Sequence, residues 1–339
     1  MILMVLPARA PENGGNWVHA RRLQKGLRQW GWEVVIKTLE NVEERELATA
    51  DLLHLFNAYR TGTPLMPVVR KKYREKRVII SLTGTDINEY LHHPSTRADT
   101  VQAMDWADRL VCITPAAQRR LAHQFPMWRE KVTVIPPAVD LPVGSGHLKR
   151  AELGWSDEEL IFFLPAGLRS VKNPLLAVEP LGRLFAETKN IRFCIAGPPM
   201  NGKILETLHL LARKNAWLTY LGTIPQSQIG NYYLLSDVVL NTSRSEGLSH
   251  ALLEGMFFGK PVLASRVPGN QDLVRHGVDG FLFSDAEEMY AYAKRLYEDP
   301  QLRMEMGQEG KRRVSAEYVP SVEWRRYHEL YSALLSVYI

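Results

Sequence analysis

The chain has little cysteine and no long apolar run. Of its 339 residues only Cys112 and Cys194 are cysteines, and both fall in apolar, strand-like segments. This argues against the disulfide framework of a secreted protein, so we expect a reducing, cytoplasmic location. No apolar run reaches the roughly 20 residues of a membrane-spanning helix. The first residues also lack the basic segment of a secretory leader, so we expect no cleaved leader.

The sequence contains no low-complexity tract, internal repeat, nucleic-acid-binding module or cluster of metal-ligating residues. We therefore expect neither a metal nor a nucleic-acid partner. The net charge of +5 favours anionic ligands. The densest basic run, RKKYREKR at 70–77, is either a solvated helix end or a patch that contacts anionic lipid or nucleic acid. The sequence therefore does not decide whether the protein makes a weak peripheral contact with a membrane.

The length and the alternation of apolar runs with helical patterns predict two α/β domains with parallel sheets. We place the first domain at 1–140 and the second at 150–318, with a linker rich in proline and glycine between them. We expect a C-terminal helix of about 320–339 to pack back on the first domain. Its aromatic residues, at helical spacing, are predicted to be packing surface. Predicted strands of the two domains begin at Ile2, Val34, Leu52, Val78, Leu110, Val132, and at Leu160, Ile191, Leu218, Val238, Val262, Phe281.

The first strand–helix junction carries the glycine pair Gly14-Gly15, but the segment is not GxGxxG, and no acidic residue ends the second strand. A classical NAD site is therefore disfavoured. The glycines serve either a tight bend or a close approach of the backbone to a substrate. Loops after the first, third and fourth strands carry Asn16, Arg60 and Asp86, which we expect at one edge of the sheet.

The stretch 238–268 predicts a strand, a loop, a helix beginning at Glu246-Gly247, and a further strand. On that helix Glu246 and Glu254 would lie about a quarter-turn apart and face one crevice beyond the strand ends. Glu254 can accept hydrogen bonds from both hydroxyls of a ribose, and Glu246 from those of a second sugar. Amides of Gly247, Leu248 and Ser249 would face phosphate.

The segment GLRSVKNP at 167–174 follows the first strand of the second domain. Pro174 is typical of a first helical turn, which predicts that Arg169 and Lys172 lie at or just before a helix N-terminus. Two cations beside unpaired N–H groups suit a diphosphate.

SEGLS…LEGM at 245–256 with GKPV at 259–262 resembles the E-x7-E signature of family 4 retaining glycosyltransferases. Further matching stretches span nearly the whole chain, and NAYRTG (57–62), LTGTD (82–86) and GLRSVKNP are most similar to the glycosyltransferase 1 domain-containing and selenosugar synthase group. The resemblance implies the GT-B architecture: two Rossmann-like, doubly wound domains facing across a cleft. It implies a retaining, metal-independent glycosyltransferase without a cofactor, which moves a sugar from a nucleotide-diphosphate sugar, a UDP-sugar in the first instance, to an acceptor that the sequence does not identify.

The resemblance also implies residue roles. Glu254 would hold the ribose and Glu246 the donor sugar, while Lys172 and Arg169 would neutralise the leaving diphosphate. Gly14-Gly15 would approach donor phosphate and acceptor, and the base would lie near Gly222 and Ile224. Asn16, Arg60, Thr83 and Asp86 would form the acceptor or sugar side.

The sequence departs from this family at two positions. Thr83 stands where many members carry a histidine, and Leu168 separates Gly167 from Arg169. A catalytically idle nucleotide-sugar binder, or an epimerase or phosphorylase on the same scaffold, therefore remains the alternative function.

Overall fold

The computed structural model describes residues 1–8, 15–141 and 148–335. The described chain forms two compact units. The first comprises Met1–Asp140 with Glu317–Ile339, and the second comprises Leu141–Ala316. Within the described ranges, no helix is both long enough and apolar enough to cross a membrane.

The first unit is built on a parallel sheet of six strands, whose bounds lie within one residue or two of the predicted apolar runs. They are β1 (Ile2–Leu6), β2 (Val34–Thr38), β3 (Leu52–Phe56), β4 (Arg77–Ser81), β5 (Arg109–Cys112) and β6 (Val132–Val134). The strand order β2-β1-β3-β4-β5-β6 reverses direction between β1 and β3. In open α/β sheets, ligands bind beyond the carboxyl ends of the strands at such a reversal.

The helices of the first unit cover both faces of this sheet. They are α1 (Gly15–Gln29), α2 (Glu44–Thr49), α3 (Thr63–Lys72), α4 (Pro94–Trp106) and α5 (Pro115–Gln124). Leu3 and Val5 point into one apolar core, and Ile2, Met4 and Leu6 point into another. Burial on both faces explains why β1 reads as a continuous apolar run.

The second unit repeats the architecture with a different strand order. Its strands are β7 (Leu160–Pro165), β8 (Ile191–Ala196), β9 (Leu218–Tyr220), β10 (Val238–Asn241), β11 (Val262–Ser265) and β12 (Gly280–Phe283). The order β12-β11-β10-β7-β8-β9 is that of the Rossmann fold, and it reverses between β7 and β10. All of its strand pairs are parallel.

The helices of the second unit and the tail follow the predicted alternation. They are α6 (Val178–Thr188), α7 (Gly202–Lys214), α8 (Ile229–Leu235), α9 (His250–Phe257), α10 (Pro268–Leu273), α11 (Ala286–Glu298), α12 (Pro300–Glu317) and α13 (Pro320–Leu335). Gly31 after α1 and Gly259 after α9 have φ values of 81° and 71°. Both glycines follow the ends of their helices in the left-handed conformation, which glycine adopts without strain.

The C-terminal helix α13 packs on α1 and on the sheet of the first unit. Tyr327 and Tyr331 are buried in the core beside β1. Arg22 donates two hydrogen bonds to the Glu323 carboxylate, at 2.6 and 2.9 Å. The ring Nδ1 of His54, on β3, lies 2.6 Å from the Tyr331 hydroxyl. The aromatic residues at helical spacing are thus packing surface in the described part of the tail, and their polar ends are hydrogen-bonded.

Candidate active site

The candidate site of the second unit lies where its strand order reverses. The loop after β7 and the loop after β10 meet there, because β7 and β10 are neighbours in the sheet. Thr242 Oγ1 donates to the Lys172 carbonyl at 2.9 Å, and the Arg244 amide donates to the Val171 carbonyl at 2.8 Å. These bonds join two segments that are some 70 residues apart in sequence.

Glu246 is the centre of this junction. It is only 8% exposed, and its Oε1 accepts hydrogen bonds from Lys172 Nζ at 2.5 Å, Ser243 Oγ at 2.7 Å and Asn241 Nδ2 at 2.9 Å. Burial raises the pKa of Glu246, but the Lys172 charge and these three hydrogen bonds outweigh burial and hold the pKa below its ordinary value. The carboxylate is therefore ionised at neutral pH.

A shell of buried polar side chains fixes Glu246 from behind. Asn241 Oδ1 accepts from the Ser243 amide at 3.0 Å and from Asn270 Nδ2 at 3.1 Å. Asn241 Nδ2 also donates to Ser249 Oγ at 2.9 Å, and Ser265 Oγ donates to the Ser243 carbonyl at 2.6 Å. Sequence reasoning missed the positioning roles of Asn241 and Ser265, because buried amides and hydroxyls in strand ends carry no pattern of their own.

Gly269 lies against the Glu246 backbone. A Cβ atom at this position would lie 2.4 Å from the Glu246 carbonyl oxygen. Only glycine therefore lets the start of α10 approach the carboxylate loop this closely.

The position of Glu246 corrects the predicted helix. α9 begins at His250, and its N-cap is Ser249, whose side chain accepts from the Leu252 amide at 3.4 Å. Glu246 therefore precedes the helix, and the quarter-turn argument that related it to Glu254 is wrong. The helix starts later because the Ser249 hydroxyl satisfies one of the first unpaired N–H groups. Contact of phosphate with the amides of Gly247, Leu248 and Ser249 stays a prediction.

Glu254, on α9, is held by a neighbouring tyrosine. The Tyr233 hydroxyl donates to Glu254 Oε2 at 2.6 Å. Burial raises the pKa of Tyr233 well above its ordinary value, as do the Glu254 charge and this hydrogen bond, so the tyrosine stays a donor. The half-buried carboxylate thus has a fixed orientation. Tyr233 is a further positioning residue that the sequence did not reveal.

The structure corrects the helix predicted at Pro174. α6 begins at Val178, and Lys172 ends a short 3-10 turn over Ser170–Lys172. Asn173 has a φ of 46°, in the left-handed region. The residue before a proline is disfavoured in the right-handed helical region, and asparagine tolerates the left-handed one. The N–H groups of α6 therefore do not accompany these cations.

Arg169 and Lys172 differ in their surroundings. Lys172 is engaged with Glu246, whereas Arg169 is exposed to solvent. Both cations lie in one loop, but of the two only Lys172 contacts the Glu246 carboxylate. A contact of Arg169 with diphosphate stays a prediction.

The region predicted to receive the base follows β8 and β9 at the same edge of the sheet. The Gly197 amide donates to the Gly222 carbonyl at 2.8 Å, and the Tyr220 hydroxyl donates to the Gly197 carbonyl at 2.8 Å. Gly222 has a φ of 71°, and Ile224 is half-buried in the same loop. Their contact with a base stays a prediction.

The sugar or acceptor side predicted for the first unit lies at the strand reversal between β1 and β3. Gly14 lies outside the described residues, and Gly15 and Asn16 begin α1. Arg60 lies in a π-helical turn, Ala58–Gly62, and its Nη2 donates to the Ala8 carbonyl at 3.4 Å. This bond connects the loops after β1 and β3.

Asp86 differs from its predicted role. Its carboxyl group is fully buried, with Oδ1 accepting from the Ala58 amide at 2.8 Å and Oδ2 from the Thr83 amide at 2.7 Å. It holds the loops after β3 and β4 together and, in this conformation, is not presented to a ligand. Burial raises the pKa of Asp86 to about 7, against the effect of its hydrogen bonds. Thr83 belongs to the same network through Asn57 Nδ2, which donates to Thr83 Oγ1 at 2.9 Å.

The backbone of Asn57, in the loop after β3, is in a strained conformation. Its φ of 84° and ψ of 123° are unusual for a residue other than glycine. Its side chain accepts from the Arg60 amide at 2.7 Å, which supports the strained conformation from within the loop.

The family model of glycosyl transferases group 1 matches residues 147–313. The glycosyltransferase 1 domain-containing protein 1 of Xenopus tropicalis is 27% identical over 95% of this chain and 94% of its own length. The D-inositol 3-phosphate glycosyltransferase of Thermobispora bispora is 29% identical over 69% of this chain and 58% of its own length.

Two solved structures share the fold along almost the whole chain. Sucrose-phosphate synthase from Thermosynechococcus elongatus matches with a TM-score of 0.81 and 18% identity, over 99% of this chain and 100% of that one. Anabaena HepE in complex with UDP and glucose matches with a TM-score of 0.79 and 17% identity, over 98% and 100%. The two six-stranded units thus have the GT-B fold. Residues 147–313 are similar to group 1 glycosyl transferases, and the similarities together support a transferase enzyme.

Proposed function

We propose that this glycosyltransferase moves a sugar from a UDP-sugar to an acceptor with retention of configuration, and that it needs neither a metal ion nor a cofactor. The observation that carries the proposal is the Lys172–Glu246 ion pair at the strand reversal of the second unit. A cation and an ionised carboxylate lie side by side where Rossmann-type sheets receive nucleotides. The binding of UDP and glucose by HepE, which shares the fold, supports the choice of donor.

Donor binding would exchange the partners of this pair. Lys172 would turn from Glu246 to the diphosphate, and Glu246 would then accept hydrogen bonds from hydroxyls of the sugar. Glu254, oriented by Tyr233, would hold the ribose hydroxyls. The side chains of Asn241 and Ser243 already fix Glu246, so little reorganisation of the carboxylate is required.

We infer a displacement on one face of the sugar. The bond between the anomeric carbon and the β-phosphate oxygen breaks, and the bond from the acceptor atom to the same carbon forms on the same face. The proton of the acceptor passes to the departing phosphate oxygen. Lys172 and Arg169 stabilise the negative charge that develops there, which is the part a metal ion takes in other transferases. No protein nucleophile is needed for this step.

The acceptor would meet the carboxyl edge of the first sheet, at Asn16, Arg60 and Thr83, with Asp86 acting through the loops it positions. The acceptor itself is not identified by these residues. A cytoplasmic location is part of the proposal, and it is supported by the buried free thiols of Cys112 and Cys194.

The test begins with a thermal-stability screen against uridine-, guanosine- and adenosine-diphosphate sugars. At 100 times its Kd a donor adds about 2.7 kcal/mol to the free energy of unfolding, which registers as a melting shift. Stabilisation by UDP-sugars above the others is expected. The stabilising donor is then incubated with an acceptor panel, with and without a chelator, and products are identified by mass spectrometry.

The anomeric coupling in the NMR spectrum of the product decides the stereochemistry. Retained configuration and chelator-insensitive transfer are expected. Stabilisation without transfer or hydrolysis would instead identify a nucleotide-sugar binder. Release of an epimerised sugar or a sugar phosphate would identify one of the other reactions on this scaffold.

A further inference from the structure

The basic run at 70–77 borders a cavity of about 240 Å³ in the first unit. The cavity is lined by Arg70, Tyr73, Arg74, Lys76 and Trp106. Three of these five side chains are cationic, two are aromatic, and none is acidic. We propose that this cavity, here called the basic pocket, binds a phosphate group attached to an apolar or planar body.

The basic pocket is separate from the sheet edge that carries Arg60 and Thr83. Residues 73–76 lie between α3 and β4, just before β4 begins, and Trp106 is the last residue of α4, before β5. Both segments therefore lie at the amino-terminal edge of the parallel sheet. The loops with Arg60 and Thr83 follow strands and lie at the opposite, carboxyl edge. The proposal therefore adds a second site and does not depend on the proposed function.

Two aromatic side chains line the pocket beside two exposed arginines. Tyr73 and Trp106 are half-buried and pack against the core of the first unit. Arg70 and Arg74 are exposed, and Arg74 Nε donates to the Arg70 carbonyl at 2.9 Å, which orients that guanidinium. A guanidinium presents paired N–H groups that match phosphate oxygens, and an aromatic ring offers a flat apolar surface beside them.

The acids Glu44 and Glu75 beside the pocket are each paired with a lysine. Glu44 pairs with Lys72 Nζ at 2.6 Å and accepts from the Tyr73 hydroxyl at 3.2 Å. Glu75 lies 3.6 Å from Lys76, whose Nζ also donates to the Ala48 carbonyl at 2.8 Å. Lys76 is thus partly neutralised. Arg70 and Arg74 supply most of the positive charge, so they are the residues to change.

The phosphate can belong to a soluble ligand or to a lipid headgroup, and two arms of one experiment separate these sources. In the first arm, phenyl phosphate and inorganic phosphate are titrated into the full chain while the indole N–H signal of Trp106 is followed by NMR; a Trp106→Phe variant assigns the signal. In the second arm, co-sedimentation is measured with vesicles of phosphatidylcholine, with and without 30% phosphatidylglycerol.

The matched variants are Arg70→Ala with Arg74→Ala, and Lys71→Ala with Arg119→Ala. Each pair removes two exposed cations of the first unit, but only the first pair lines the pocket. We expect saturable shifts or vesicle binding in the wild type and weaker binding in the first variant pair. For vesicles the loss should be about 25-fold, since each cation near an anionic membrane surface accounts for roughly a fivefold effect. We expect the second pair to weaken soluble-phosphate binding less than twofold. Melting temperatures confirm that all variants fold.

A saturable shift with phenyl phosphate and no sedimentation assigns the pocket to a soluble phosphorylated ligand. Sedimentation that depends on phosphatidylglycerol and on Arg70 and Arg74 assigns it to a lipid headgroup. Absence of saturable binding in both arms, or an equal loss in the two variant pairs, overturns the proposal, because the effect would then follow net charge alone.

Discussion

Lys172 Nζ and Glu246 Oε1 lie 2.5 Å apart, although 73 residues separate them along the chain and they follow different strands. Lys172 Nζ donates a hydrogen bond to this carboxylate and forms an ion pair with it. Their pairing joins the loops after β7 and β10. In the proposed site, the diphosphate would bind Lys172 and the donor sugar would bind Glu246. The first two predictions depend on this pair.

Lys172→Ala should reduce sugar transfer at least about 100-fold, because the developing phosphate charge loses its cation. It should also lower the free energy of unfolding, by less than the about 3–5 kcal/mol of a fully buried broken pair, since the lysine is 21% exposed. Transfer rates and urea unfolding measure both effects. Lys203→Ala, on exposed α7, is the control. Wild-type turnover in Lys172→Ala would contradict the assignment.

Glu246→Gln keeps the shape of the side chain and removes its charge. Because the folded-state pKa of Glu246 is lowered, its ionisation stabilises the wild type above the ordinary pKa of 4.5, and this contribution is lost as the pH falls below 4.5. The stability difference between wild type and variant should therefore be present at pH 7 and shrink in acid. Urea unfolding at pH 7, 5 and 4 tests this. A difference that grows in acid would show that the carboxyl group is protonated in the folded state.

Tyr233→Phe should weaken donor binding about tenfold and leave the turnover number nearly unchanged. The change removes the hydroxyl that orients Glu254, and a hydrogen bond to a charged group contributes about 1.5–3 kcal/mol. Steady-state kinetics separate KM from kcat. Tyr232→Phe is the matched control, because this neighbour on α8 has a half-buried side chain. Equal effects of the two substitutions would argue against a positioning role for Tyr233.

Gly269→Ala should cost about 1–3 kcal/mol of stability and most of the activity, because the new methyl group would lie 2.4 Å from the Glu246 carbonyl oxygen. Gly202→Ala, at the start of α7, meets no atom within 4 Å and should be neutral or slightly stabilising. Thermal unfolding and transfer assays compare the two variants. An active, stable Gly269→Ala enzyme would show that the loop tolerates displacement.

His54 and Asp86 should have opposite effects on stability between about pH 4.5 and 6.5. Burial lowers the pKa of His54 to about 3, so the unfolded chain binds its proton first and stability falls as the pH falls. Burial raises the pKa of Asp86 to about 7, so the folded chain binds its proton first and stability rises as the pH falls. Each slope is at most about 1.4 kcal/mol per pH unit, and the two nearly cancel.

Single substitutions should expose the two slopes. Asp86→Asn should leave a protein that loses stability on acidification, and His54→Gln one that gains it over the same range. Urea unfolding from pH 7 to 4.5 measures both slopes. Below pH 4.5 stability falls in both variants, because protonation of Glu323, whose folded-state pKa is about 2, then favours unfolding. The same slope in both variants would refute the opposed titration.

Strand positions could be read from the sequence because buried parallel strands are apolar without interruption, as β1 and β10 show. The pairing of Glu246 with the GLRSVKNP loop was also foreseeable, since adjacent loops of a Rossmann sheet meet at its reversal. The starts of two helices could not be predicted from the sequence. Because Ser249 caps α9, this helix begins at His250 and not at Glu246. Asn173 is in the left-handed conformation, and α6 begins at Val178 and not at Pro174. The burial of a polar side chain could not be predicted either. An aspartate in a polar loop, such as Asp86, is expected to be exposed until its hydrogen-bond partners are known.

The return of α13 to the first unit makes the second unit an insertion in the first. A ribosome releases β1 and α1 long before it releases α13, whose Tyr327 and Tyr331 complete the core around Ile2 and Met4. At a synthesis rate of about 5–20 residues per second, that apolar surface stays exposed for on the order of ten seconds or more before α13 packs on it. Truncation before Pro320 should therefore yield a chain that aggregates during synthesis even though its second unit is intact.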